Sequence, residues 1–127
     1  EIGQPLERGE RKIARLLHGS ARRVSAGAEL VRPGRSNEFV YRVVSGWVCR
    51  ARSIEDGRIQ VILVFLPGDL FAVKSMFVRL ESDGVTALSD AVVEQIDQRQ
   101  LRSAFETDPD VALRCLWQVV EEERRLH

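Results

Sequence analysis

The sequence predicts a mainly β fold with flanking helices, a small antiparallel barrel or sandwich closed by helical segments at both ends. Three observations carry this. Between residues 21 and 97, short β-rich runs are divided by Ala26-Gly27, Pro33-Gly34, Gly46 and Asp56-Gly57, at intervals of roughly 7 to 12 residues, the spacing of a barrel or sandwich. The stretch Gly57 to Asp69, GRIQVILVFLPGD, is almost continuously apolar and bracketed by Asp56-Gly57 and Pro67-Gly68. A run so short and so bounded reads as a buried strand near the middle of the fold. Helical periodicity is strongest before residue 20 and after residue 97.

In order, Pro5 suits a first helical turn, Leu6, Ile13, Leu16 and Leu17 share a face, and Gly19 stops the helix. Strands are expected near 21–25, 28–32, 38–45, 47–53, 58–66, 82–88 and 91–97. Between the fifth and sixth, Leu70 to Leu80 has apolar residues at 73, 76, 77 and 80, which predicts an inserted helix whose N-terminus could face an anion. Asp97, with Gln100 three residues on, caps a short helix that buries Leu101, Ala104 and Phe105. Asp108-Pro109 then starts a long helix running to the end of the chain. Its first half is apolar nearly all round, so it is expected to be buried on two sides, one against the barrel and one against a second copy. Ala112, Leu116, Val119 and Leu126, or Leu113, Trp117 and Val120, make the candidate seam.

Composition bounds the function. A chain of 127 residues, 44% apolar and 30% charged, has room for one core and one globular domain. No apolar run is long enough to cross a membrane, and the N-terminal EIGQPLERGERK lacks the core of a secretory signal, so a cytoplasmic setting is expected. Net charge is zero, but residues 1–60 hold twelve Lys and Arg against seven Asp and Glu, and residues 61–127 hold seven against twelve. This balance is poor for nucleic-acid binding by the segment alone. The basic group Arg8, Arg11, Lys12, Arg15, Arg22 and Arg23 reads as a solvated helix face and loop.

The order of these signals resembles the sensory domain of the Crp/Fnr family of bacterial transcription regulators: a helix, VVSGWVCR, a DGR turn, a strand ending LPGD, a small helix, VVEQID, a short helix and a long helix. The resemblance implies a double-stranded β-helix, or jelly roll, of the cyclic-nucleotide-binding type over residues 1–108. It also implies a dimerisation helix beginning at 109–127 and a DNA-reading domain beyond. The final His127 lies in an uncapped helical stretch, so the natural chain is expected to continue. Family members that bind cyclic AMP open the small helix with Gly-Glu and carry an Arg some ten residues later to hold the phosphate. Here Ala72 and Val73 stand at the Gly-Glu positions, and Glu81 or its neighbours at the Arg position. Losing an Arg–phosphate pair and placing a carboxylate there each cost on the order of 2 kcal/mol. Cyclic AMP or cyclic GMP is therefore not expected to bind in the usual manner.

Lys74, Ser75, Arg79, Ser82 and Thr86 are the candidate donors for another small-molecule effector. Otherwise Val73, Met76, Phe77 and Leu80 would plug the barrel and turn a ligand site into core. Two cysteines, Cys49 and Cys115, are too few for an iron–sulfur cluster and are expected to be buried. His18 and His127 lie outside any expected pocket, so haem, metal-enzyme and Ser/His/Asp chemistry all lack ligands or bases. The expectation is a non-enzymatic, homodimeric regulatory domain without cofactor or metal, sensing an effector through a degenerate cassette and reaching DNA only through the following domain. The alternative is a ligand-free dimerisation platform.

Overall fold

The computed structural model describes residues 1–126; His127 lies outside the described residues. Helix α1 (Gly3–Leu17) leads into eight strands: β1 (Arg22–Val24), β2 (Glu29–Val31), β3 (Phe39–Ser45), β4 (Val48–Ser53), β5 (Ile59–Phe65), β6 (Leu70–Phe71), β7 (Gly84–Ala87) and β8 (Ala91–Asp97). Helices α2 (Gln98–Thr107) and α3 (Pro109–Arg125) follow. The strands form two four-stranded antiparallel sheets, β1-β8-β3-β6 and β2-β7-β4-β5. The seven expected strands all form, most a residue or two shorter than expected.

Alternation along the strands builds the core between the sheets. Tyr41 and Val43 of β3, Val48 of β4, Leu63 and Phe65 of β5, Val85 and Ala87 of β7, and Ala91 and Val93 of β8 meet there. Phe71 stacks on Tyr41 at 4.7 Å and on Phe65 at 5.3 Å, centroid to centroid. At Gly46, φ is +90° and a Cβ would lie 2.6 Å from the carbonyl oxygen of Asp90. Only glycine fits that turn beside the bulge at Val43/Ser45.

The opposite parity of the first sheet, Val40 and Ile96, faces a second cluster made with Ile13, Leu17, Leu101, Val111 and Cys115 of the helices. The molecule thus has three layers: sheet, sheet and helices. Asp97 and Asp108 cap α2 and α3 by accepting hydrogen bonds from the backbone N–H groups of Arg99 and Asp110, as the sequence predicts. No helix among the described residues is long and apolar enough to cross a membrane.

One expectation about the strands is corrected. Strand β5 is not a buried central strand; it is the edge of its sheet, with Ile59 57% and Val61 45% exposed and burial reached only at Leu63 and Phe65. High β-propensity follows from a side chain's fit to a pleated surface, and an edge strand satisfies it as well as a central one.

Candidate functional site

The segment after β5 positions the site. Asp69 closes the Pro67-Gly68 turn by accepting the Leu66 N–H at 2.7 Å, and its own N–H donates to the Leu66 carbonyl at 2.9 Å. Leu70 and Phe71 are then drawn into β6 by pairing with Arg42 and Tyr41. Ala72 follows at φ +65°, ψ +22°, the only non-glycine residue at positive φ among those described. A single 3-10 turn, Val73–Met76, succeeds it.

The helix expected over Leu70 to Leu80 is therefore corrected to a two-residue strand and one turn. The ladder takes its first two residues and the left-handed Ala72 breaks any helix before it can start. Val73 and Met76 are buried under the helices, but Phe77 and Leu80 are both 59% exposed, so they do not plug the barrel. Phe77 instead meets Phe105 edge-on at 5.5 Å. With one short turn in place of a helix, the expected anion-facing helix terminus is missing.

Next to this turn, the mouth of the barrel encloses only about 20 Å³, room for one water molecule. Val31, Phe65 and Val85 supply its apolar wall; Arg50, Lys74, Glu81, Ser82, Asp83 and Glu122 bring charge and hydroxyl to it. Of the residues singled out by sequence, Lys74 and Ser82 line this space. Ser75 is buried beside it, accepting from Asn37 Nδ2 at 2.8 Å and donating to Glu81. Arg79 is exposed and does not line it. Thr86 sits on β7 opposite Cys49 and lines a separate surface depression with Gly84 and Ala51.

The residue that sequence reasoning missed is Arg50. It shares the inward parity of β4 with Val48, beside a bulge at Arg50/Ala51, and its side chain is only 14% exposed. Its Nε lies 3.5 Å from Asp83 Oδ2 and its Nη1 lies 3.6 Å from Glu122 Oε1. Asp83 is shared with Arg52 at 2.9 Å. Burial pushes the Glu122 carboxyl above the ordinary range, and the charges of Arg50 and Lys74 oppose that push. An arginine two residues after an inward-facing valine was the available signal, since period-2 alternation puts both side chains on one face.

Glu122 belongs to α3, whose inner face is partly polar. Gln118 Oε1 accepts the Leu70 N–H at 2.9 Å, Arg114 Nη2 donates to the Gly68 carbonyl at 3.2 Å, and Arg125 grips Asp69 with two bonds of 2.6 and 3.1 Å. Val111 and Cys115 complete the buried stripe. On the other face Leu116 is 52%, Trp117 38% and Val120 54% exposed, and Leu126 is 39% exposed beyond them. Ala112, Leu113 and Val119 are half-buried at the margins, with Val119 packed on the helical cluster. Cys49 and Cys115 are both buried and unpaired with each other. Burial raises both thiols, Cys115 to about 11, and so favours the protonated form of each.

Residues 21–108 match the family model of the cyclic nucleotide-binding domain. No curated protein matches the chain. Among solved structures, FixK2 from Bradyrhizobium japonicum is 25% identical, with a TM-score of 0.75 over 84% of this chain and 52% of its own. The c-di-GMP responsive global regulator CLP of Xanthomonas campestris is 20% identical, with a TM-score of 0.76 over 94% of this chain and 60% of its own. The catabolite activator protein of Thermus thermophilus is 22% identical, with a TM-score of 0.74 over 95% of this chain and 59% of its own. The chain thus spans little more than half the length of these regulators.

Proposed function

The chain belongs to the cyclic nucleotide-binding domain family, with Crp/Fnr regulators as structural neighbours, and on that premise we propose that it is the sensory and dimerisation domain of a Crp/Fnr-like transcription regulator with a degenerate nucleotide cassette. The observation that carries this reading is the division of α3 into two faces. Its inner face is fixed to its own barrel, while Leu116, Trp117 and Val120 leave an apolar stripe open to solvent. Exposed large apolar side chains at helical spacing are what a second copy of the same helix covers. Two such helices side by side would carry DNA-reading units set apart by about one helical turn.

Several features of the mouth support a degenerate cassette. Ala72 and Val73 replace the Gly-Glu pair that the family resemblance calls for. Glu81, at or beside the position of the phosphate-binding Arg, is engaged with Ser75. The enclosed space of about 20 Å³ is far below the roughly 300 Å³ or more of small-molecule sites.

The test is sedimentation equilibrium at tens of micromolar with calorimetric titration of cyclic AMP and cyclic GMP. A dimer that Leu116→Glu converts to monomer, with no saturable heat from either nucleotide, is the expected result. A monomeric parent chain would remove the dimerisation reading. Micromolar nucleotide binding would remove the degenerate cassette.

A further inference from the structure

We infer that Arg50 is the pocket's own occupant: its guanidinium stands between Asp83 of the barrel and Glu122 of α3 in the place of an external effector, and latches the second half of α3 to the barrel. The inference rests on reading the barrel mouth as the family's effector pocket and goes on to say how that pocket is controlled.

Three features of the mouth point the same way. Arg50 projects from the inward face of β4, where its neighbour two residues back, Val48, is fully buried. A cation at that parity needs carboxylate partners, and it has two at ion-pair distance, 3.5 and 3.6 Å, themselves only 9% and 12% exposed, while its buried Nε makes no hydrogen bond. The charge balance of the lining is reversed for a phosphate. Glu81, Asp83 and Glu122 outnumber Arg50 and Lys74, so the mouth repels an anion and holds a cation. Finally, the two carboxylates come from different parts of the fold. Asp83 precedes β7 and is tied to Arg52 at 2.9 Å, whereas Glu122 lies three residues before the end of α3. A guanidinium shared between them joins barrel to helix from inside, as Arg125 and Asp69 do from the neighbouring turn.

The junction is part of the chain itself, so Arg50 ties Glu122 of α3 to the barrel without any small molecule.

Chemical rescue tests this directly. Arg50→Ala leaves two facing carboxylates and a guanidinium-sized void. It should melt at least ~3 °C lower, and amide hydrogen exchange over residues 118–125 should quicken roughly tenfold. N-ethylguanidinium at about 10 mM should restore both, the amount chosen to stay far below denaturing concentration. It should do nothing for the parent chain or for Arg50→Ala combined with Glu122→Gln. Should Arg50→Ala fail to fold, Glu122→Gln keeps the shape of the side chain and removes the charge on the α3 side; exchange over 118–125 should again rise while that of β8 stays unchanged. The inference is overturned if neither variant loosens 118–125, or if ethylguanidinium stabilises Arg52→Ala as much as Arg50→Ala. Arg50, Asp83 and Glu122 belong to one chain, so a failed dimerisation test leaves this outcome readable, and the reverse holds as well.

Discussion

Along the first half of α3, Val111 and Cys115 are sealed against α1, and Gly9 brings the two helices so close that a Cβ there would lie 2.2 Å from the Asp110 carbonyl oxygen. Along the second half, Gln118, Glu122 and Arg125 reach the barrel through hydrogen bonds and ion pairs, with no comparable apolar seal. The first contact adds to this close backbone packing the ion pairs of Arg8 and Lys12 with Asp110, of Lys12 with Asp108 and of Arg114 with Glu10, and the packing is what gives it one geometry. The second is electrostatic, tolerates small displacements and responds to solvent and charge. A helix anchored stiffly at its start and adjustably further along is suited to passing a change at the barrel mouth to whatever its outer face meets.

The largest effect should come from breaking the steric end. Gly9→Ala forces the α1 and α3 backbones apart and should cost about 3 kcal/mol in urea denaturation. A loss below about 1 kcal/mol would mean that the two helices slide freely and that the contrast between the halves of α3 is wrong.

Next in size is a pH effect at the same end. The Cys115 thiol is raised by burial from 9 to about 11. In the unfolded chain the thiol ionises first, so between these values the folded state holds the extra proton. Its contribution is fully present below pH 9 and is lost as pH rises toward 11, by about 2–3 kcal/mol at most. The slope of stability against pH across that window should flatten in Cys115→Ala, whatever packing that variant loses. An unchanged slope would show that Cys115 is open to solvent.

The electrostatic end should behave differently. Arg125→Ala removes a two-bond grip on Asp69 between side chains 23% and 11% exposed, and about 1 kcal/mol is expected, shrinking in 1 M NaCl. A salt-independent loss would mean that packing and not charge carries this contact.

Much of this fold was legible in the sequence because it rests on local chemistry. Asp97 and Asp108-Pro109 announce two helix starts, and the glycines and prolines that divide the strands do so through backbone geometry that a sequence carries openly. The edge position of β5 was not legible, because Ile59 to Phe65 satisfies β-propensity equally well at an edge. The candidate site was only half legible. Lys74, Ser75, Ser82 and Glu81 could be gathered around one segment, since they lie within nine residues of one another in the sequence. Arg50, Asp83 and Glu122 come from β4, the approach to β7 and α3, and only the closed sandwich brings them together. The over-long helix at Leu70 to Leu80 has a similar cause. Its apolar spacing is helical, but pairing of Leu70 and Phe71 with β3 takes precedence.

Ala72 offers the smallest and most local test. It holds φ +65° where an L-residue with a Cβ is strained by roughly 1–2 kcal/mol, directly before the turn that lines the mouth. Glycine would relieve that strain but add disorder to the unfolded chain, worth about 0.4–1 kcal/mol in the other direction. Ala72→Gly should therefore raise stability by only about 0.5 kcal/mol. Because Ala72 touches the barrel mouth and not the α1–α3 crossing, the gain should add to the Gly9→Ala loss without coupling. A coupling above about 0.5 kcal/mol in the double variant would show that the mouth and the packed end of α3 already act as one unit, and the division of labour along the helix would have to be redrawn.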